Sequence, residues 1–196
     1  MPLGDSNTWG WLVPGSYRTQ LYQDLTAQGI RAQFVGSLSN GPDNLPSKNN
    51  EGHSGWTISQ IAGGADGWIK AAQPQIVLLM IGTNDVWHQQ DAANAPKRLG
   101  DLIDQLARDL PHGYIVVASV PPLASANNNS AAAVYNSAIA PLVAAHAAGG
   151  EHVSYADIYA ATPPVDLMDE AHFNADGYAK MAEIWNNTME RLTVQP

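Results

Sequence analysis

Two apolar runs, Ile76 to Ile81 and Tyr114 to Val120, hold aliphatic or branched residues at nearly every position, with no polar residue on alternate positions to face water. A strand of that kind has to be covered on both faces, which is the situation of a parallel sheet between two layers of helices. Gln33 to Gly36, Met1 to Leu3 and His152 to Ala156 are shorter strand candidates. The segments between read as helices. Leu99, Leu102, Ile103, Leu106 and Leu110 make one apolar stripe on a helix that stops at Pro111. Tyr178, Met181, Trp185, Met189 and Leu192 repeat the device near the C-terminus, with Asn174 as N-cap. Tyr17 to Gln28, stopped by Gly29, and Ala131 to Ala148, stopped by Gly149-Gly150, complete the set. Ser37 to Gly55 and Pro121 to Ser130 read as irregular. Strands alternating with helices predict an open parallel sheet covered on both sides, whose ligands bind beyond the carboxyl ends of the strands.

With 196 residues and 45% hydrophobic content, the chain is long enough for one sizeable core and too short for two ordinary domains, so residues 1–196 read as a single domain. Lys plus Arg number 9 against 18 Asp plus Glu, a net charge of -9 that repels phosphate backbones and anionic lipid. Nucleic acid and membrane surfaces are therefore poor partners. The absence of cysteine excludes disulfides, thiolate metal sites and a cysteine nucleophile. The longest unbroken aliphatic run, Ile76 to Ile81, is far too short for a bilayer. No signal-like segment precedes Met1, yet the first motif begins at Gly4, which fits a mature form that has lost its export signal and favours secretion over the cytoplasm. Nothing in the sequence sets the oligomeric state.

Three motifs fall where strands lead into helices. Gly4-Asp5-Ser6 follows the first short strand, Gly82-Thr83-Asn84-Asp85 follows Ile76 to Ile81, and Asp169-Glu170-Ala171-His172 precedes the last helix. A serine hydroxyl is a weak nucleophile and needs a neighbouring base, which in turn needs an acceptor on its other nitrogen. Ser6 with His172 and Asp169 supplies those three types. Asn84 has a side-chain amide able to donate to an oxyanion, and Gly55 allows backbone to approach a ligand and offer its N–H. Asp85 reads equally well as a turn or cap residue. The nucleophile pattern Gly-x-Ser-x-Gly is absent; Gly52-His53-Ser54-Gly55-Trp56 fails at its last glycine and follows no predicted strand, so Ser54 is a poor rival to Ser6. The histidines at 53, 88, 112, 146 and 152 show no spacing that demands a metal and read as surface or loop residues. Of the six tryptophans, at 9, 11, 56, 68, 87 and 185, Trp185 lies on the last helical stripe and Trp68 reads as core. Trp9, Trp56 and Trp87 stand near candidate catalytic groups, where they and Asp5 are candidates for substrate contact.

In this order, Ser6 in Gly-Asp-Ser, Gly55, Asn84 in Gly-x-Asn-Asp, and Asp169 with His172 in Asp-x-x-His resemble the signature blocks of the SGNH, or GDSL, hydrolase superfamily across the whole chain. The resemblance implies a three-layer α/β/α sandwich with a flavodoxin-like, five-stranded parallel sheet. It also implies Ser6 as nucleophile, His172 as base, Asp169 as its orienting partner, and an oxyanion hole from the Ser6 and Gly55 N–H groups and the Asn84 side chain, with no metal or organic cofactor. Tyr17 to Tyr22, Phe34 to Ser37 and Glu51 to Ile58 further resemble carbohydrate esterase family 3, the acetylxylan esterases. Two positions depart from the usual pattern: Glu170 and Phe173 stand where the superfamily often has glycine and proline, and Glu170 adds a negative charge beside His172.

The resulting expectation is an esterase that removes short acyl groups, foremost acetyl from xylan or a similar polysaccharide. Two other readings fit the same residues. One keeps the chemistry and changes the substrate to aryl esters, lysophospholipids or an acyl-transfer acceptor; the other is a carbohydrate-binding module that retains the fold without turnover.

Overall fold

The computed structural model describes residues 1–88 and 91–193. In chain order its elements are β1 (Pro2–Gly4), α1 (Ser6–Trp9), α2 (Ser16–Ala27), β2 (Leu38–Ser39), β3 (Asn49–Gly52), α3 (Ile58–Ala72), β4 (Ile76–Met80), α4 (Thr83–Trp87), α5 (Ala95–Asp109), β5 (Tyr114–Ala118), α6 (Ala126–Ala148), β6 (Val153–Ala156), α7 (Ile158–Ala161) and α8 (Ala175–Thr193), with short 3₁₀ turns at Ala92–Asn94 and Pro164–Asp166. The strands form one six-stranded sheet in the order β2-β3-β1-β4-β5-β6. Every pairing is parallel except the two-residue edge pairing of β2 with β3. The five parallel strands have the expected flavodoxin-like order, and the antiparallel edge strand β2 makes a sixth.

The two-faced burial predicted for the apolar runs is realised residue by residue. Along β4 and the residue that follows it, Val77, Leu79 and Ile81 enter the core beneath α3, α5 and α6, whereas Leu78 and Met80 enter the core beneath α2 and α8. β5 does the same, with Ile115 and Val117 on one side and Val116 and Ala118 on the other. Each such aliphatic side chain removed from water contributes about 1.5–3 kcal/mol before entropy is counted. The helical stripes also stand: Leu99, Leu102, Ile103 and Leu106 of α5 are buried, as are Tyr178, Met181 and Trp185 of α8. Asn174 caps α8 by accepting from the Gly177 N–H at 3.0 Å.

Three expectations need correction. Gln33 to Gly36 is not a strand; its backbone is held by side chains instead, the Phe34 N–H donating to Ser47 Oγ at 2.6 Å and Asn49 Nδ2 donating to the Gly36 carbonyl at 3.1 Å. The strand lies instead at β3, inside the stretch read as irregular, and it is polar. Buried Asn50 bonds the Gly52 N–H at 2.8 Å and Asn40 at 2.9 Å, and the buried Glu51 carboxylate accepts from the Ser37 N–H and hydroxyl. Hydrogen bonds satisfy its buried side chains, so hydropathy does not reveal it.

α6 begins at Ala126 rather than Ala131, so half of the irregular Pro121 to Ser130 stretch is helical. Its Ser125 cap accepts from the Asn128 N–H. At 23 residues, α6 is long and apolar enough in composition to cross a bilayer. It lies along the sheet, however, with Tyr135, Ile139 and Val143 in the core and Asn136 bonded both ways to the Val120 backbone at 2.9 Å. The helix α3, with three glycines, was not predicted; Thr57 and Gln60 form a capping box at its start, and Ile58, Ile61, Ala65 and Ile69 bury one face.

Candidate active site

At the carboxyl end of β1 the chain turns directly into α1. Asp5 is the N-cap, its carboxylate accepting from the Asn7 N–H at 2.9 Å, and Ser6 is the first helical residue. A first-turn N–H has no partner within its own helix, so the Ser6 N–H is a spare donor next to its own hydroxyl. Four residues make a helix only if something holds it, and Arg18 does. This wholly buried guanidinium donates to the carbonyls of Thr8 and Trp9 at the end of α1, and to those of Asn40 and Lys48 beyond it. Burial lowers its pKa to about 10, still far above neutrality. On the other side α1 packs against β3 so closely that a Cβ on Gly52 would stand 2.4 Å from the Trp9 nitrogen, which is why that position needs glycine.

The segment between the second 3₁₀ turn and α8 delivers the other two groups. His172 Nε2 lies 2.8 Å from Ser6 Oγ, across 166 residues of sequence. His172 Nδ1 faces the Asp169 carboxylate, at 2.9 and 2.8 Å from its two oxygens. The Ala171 and His172 N–H groups donate to Asp169 Oδ1 at 2.9 and 2.8 Å. Partial burial alone would raise the Asp169 pKa; the bonds from Ala171 and His172 outweigh it and hold the carboxyl below its ordinary value. Ser6, Asp169 and His172 are thus brought together in nucleophile–base–orienter geometry.

Phe173, the departure from the usual proline, is fully buried between the sheet and α8, and edges onto Tyr178 at 6.3 Å. It pins the segment from the residue next to His172. Glu170 is engaged away from the imidazole, accepting from Asn128 Nδ2 at 2.8 Å and the Ser125 N–H at 3.2 Å at the start of α6. Those donors, Asn128 first, lower its pKa.

The candidate oxyanion donors sit on two clamped loops. Asn84, in the first turn of α4, is 5% exposed and donates one amide hydrogen to the Trp56 carbonyl at 2.9 Å, leaving the second free. Asp85 does act as a cap, though of α3 rather than of its own helix: Oδ2 accepts from the Ile58 N–H at 3.0 Å while Oδ1 accepts from Arg98 at 2.9 Å. Gly55 is exposed with φ 81, and nothing stands within 4 Å of where its side chain would be. Its loop is tied to β1 by the His53 N–H, which donates to the Gly4 carbonyl at 2.8 Å.

His53 is more than the loop residue expected. Its ring stacks on both Trp56, at 4.3 Å, and Trp68, at 4.6 Å, and its Nε2 meets the buried Glu51 carboxylate at 2.9 Å. His146 likewise has partners that spacing did not reveal: Nδ1 lies 2.7 Å from Glu151 and 3.5 Å from Asp104.

The substrate-contact candidates divide. Asp5 has no exposed surface, so it cannot touch substrate, and its role is the α1 cap. Trp9, Trp56 and Trp87 are each half-buried, Trp56 in the His53 stack and Trp87 against the core and the His88 ring. Sequence reasoning passed over Trp11, which is 51% exposed with its ring centroid 6.5 Å from that of His172. Its adjacency to the nucleophile motif was the available signal.

Burial is the largest influence on Asp5, and it outweighs the hydrogen bond from the Asn7 N–H to push the carboxyl from 3.8 up to about 6. A folded-state pKa above the unfolded one means that the contribution of Asp5 to stability is greatest below about pH 4 and is lost as pH rises through about 6. That gap is worth on the order of 3 kcal/mol. Asn is as good an N-cap and carries no charge. Asp5→Asn is therefore expected to match the wild type near pH 4 and to gain up to about 3 kcal/mol over it by pH 7. Urea unfolding at the two pH values measures this; a constant difference between the proteins would contradict it.

The GDSL-like lipase/acylhydrolase family matches residues 3–180. Among solved structures, a family 3 carbohydrate esterase from Clostridium thermocellum superposes with a TM-score of 0.90 at 36% identity, covering 98% of this chain and 94% of that one. A family 3 carbohydrate esterase from Talaromyces cellulolyticus superposes with a TM-score of 0.85 at 25% identity, covering 98% and 96%. A multidomain esterase from Ruminococcus flavefaciens is 33% identical over 97% of this chain, which spans 28% of that protein's length. With that match across the sheet and both ends of the hydroxyl–imidazole pair, the chain belongs to the GDSL-like lipase/acylhydrolase family, as a carboxylic ester hydrolase similar to the family 3 carbohydrate esterases.

Proposed function

We propose that residues 1–196 form one hydrolase unit that removes acetyl groups from xylan or a related plant polysaccharide. The observation that carries the reading is the 2.8 Å contact between His172 Nε2 and Ser6 Oγ, with Asp169 on the opposite ring nitrogen, in a chain so similar to family 3 carbohydrate esterases. His172 takes the Ser6 proton as Oγ attacks the ester carbonyl, and Asp169 holds the resulting imidazolium. The carbonyl oxygen becomes an oxyanion, bound by the Ser6 and Gly55 N–H groups and the free amide hydrogen of Asn84. A preorganised donor of this sort is worth roughly 3 to 4 kcal/mol in the transition state. As the C–O bond breaks, His172 gives that proton to the departing sugar oxygen, which leaves as a hydroxyl. Water then attacks the acetyl-Ser6 ester with His172 as base again, releasing acetate and regenerating the hydroxyl. Polymeric xylan does not enter cells, so this substrate assigns the enzyme to the extracellular side.

The test is release of acetate from acetylated xylan, compared with acetylated glucose and a lysophospholipid at matched ester concentration. The expected order places acetylated xylan first by kcat/KM. Preference for acyl chains of about eight carbons or more, or for the lysophospholipid, would overturn the polysaccharide assignment and leave the esterase chemistry in place.

A further inference from the structure

Among the described residues, Trp11 is the only exposed tryptophan, and it stands at the candidate catalytic pair. Its position is fixed from behind: the Gly10 and Trp11 N–H groups both donate to the Ser6 carbonyl, at 2.9 and 3.1 Å. From ahead, Leu12 has φ 66 and is itself 50% exposed, and the loop is closed where the Ser16 hydroxyl donates to the Thr8 carbonyl at 3.2 Å. An indole left half in water loses much of the free energy that burying it would give. Here a short hydrogen-bonded loop holds it out, with its ring tilted 46° to the His172 imidazole. The segment that carries Asp169 and His172 adds Met168, which is 55% exposed and donates its N–H to the His172 carbonyl at 2.8 Å.

We infer that Trp11 is a stacking platform for a sugar ring of the substrate, either the ring that bears the acyl group or its neighbour along the chain. The inference rests on the polysaccharide reading above and gives that reading a residue. A pyranose presents an apolar C–H face ringed by hydroxyls, which suits a flat indole whose edges remain wet. Trp11 and Met168 are too open to enclose an alkyl chain, which gains most from a pocket that surrounds it. The net charge of -9 further favours a neutral glycan over an anionic headgroup.

The experiment uses unacetylated xylo-oligosaccharides, which carry the sugar face and no scissile ester, as competitors of p-nitrophenyl acetate hydrolysis. They are expected to inhibit the wild type and to shift its tryptophan fluorescence. Trp11→Ala should raise the inhibition constant roughly tenfold and abolish the fluorescence shift, and Trp11→Phe should recover part of the affinity. On acetylated xylan, Trp11→Ala should raise KM more than it lowers kcat. Equal inhibition constants for wild type and Trp11→Ala, or no inhibition of the wild type, would overturn the platform. Acetate release from xylan by the wild type would then still uphold the substrate reading. Conversely, Trp11-dependent oligosaccharide binding in an enzyme that releases no acetate from xylan would uphold the platform and reject the substrate.

Discussion

Ser6→Ala is expected to lower kcat for p-nitrophenyl acetate by about a million-fold, and Ser6→Ala with His172→Ala should cost little more than either change alone. The reason lies in the contact between them. The Ser6 hydroxyl's partner is His172 Nε2 at 2.8 Å, and the imidazole's other nitrogen is taken by Asp169, so each group has a use only in company with the other. Removing one leaves the second without a reaction to serve, while oxyanion donors and substrate contacts keep a residual rate above that in water. Folding should survive the change, because Ser6 sits on a helix anchored by Asp5 and Arg18 rather than by its own side chain. A fluorophosphonate probe gives the same answer covalently: it should label wild type at Ser6 and leave both single variants unmodified. Near-normal turnover by Ser6→Ala would refute the nucleophile assignment, and an unlabelled wild type would favour a binding module over an enzyme.

How much of this was visible in the sequence follows from what each element uses to bury itself. β4, β5, α5 and α8 bury aliphatic side chains at the period of their backbone, so their hydrophobic pattern and their structure carry the same information. β3 buries Asn50 and Glu51, satisfied by residues as distant in sequence as Ser37 and Asn40, and no local reading reveals such partners. α3 was diluted by Gly63, Gly64 and Gly67, though Thr57 and Gln60 spelled its capping box in plain letters. The catalytic candidates were legible because their chemistry restricts residue type more tightly than packing does. What the motif could not say was that Asp5 lies inside and Trp11 outside, since the first is set by the packing around the β1–α1 turn and the second by the course of the loop between α1 and α2.

The surroundings of Asp169 separate two substitutions, one isosteric and one truncating. The Ala171 and His172 N–H groups both donate to Oδ1, so in Asp169→Asn the amide oxygen is drawn to that position and the NH₂ is turned toward His172 Nδ1. Nδ1 lies 2.8 Å from the position of that NH₂ and 2.9 Å from that of the amide oxygen, so a tautomer in which Nδ1 accepts now competes with the one in which it donates; the accepting tautomer places the ring proton on Nε2 and aims it at Ser6. An imidazole in that tautomer cannot take the serine proton. Asp169→Asn is therefore expected to lose about 10⁴-fold in kcat with little change in thermal stability. Asp169→Ala removes the orienting group but imposes no wrong tautomer. Because the Asp169 side chain is 39% exposed, water can reach Nδ1 in its place. The alanine variant should thus be roughly tenfold or more faster than the asparagine variant, an inversion of the usual rule that the isosteric change is the gentler one. Nitrogen-15 NMR of the His172 ring in both variants reads the tautomer directly. If Asp169→Asn stays within tenfold of wild type, the imidazole is held in place by Ser6 and the backbone around it, and the centre works as a serine–histidine dyad.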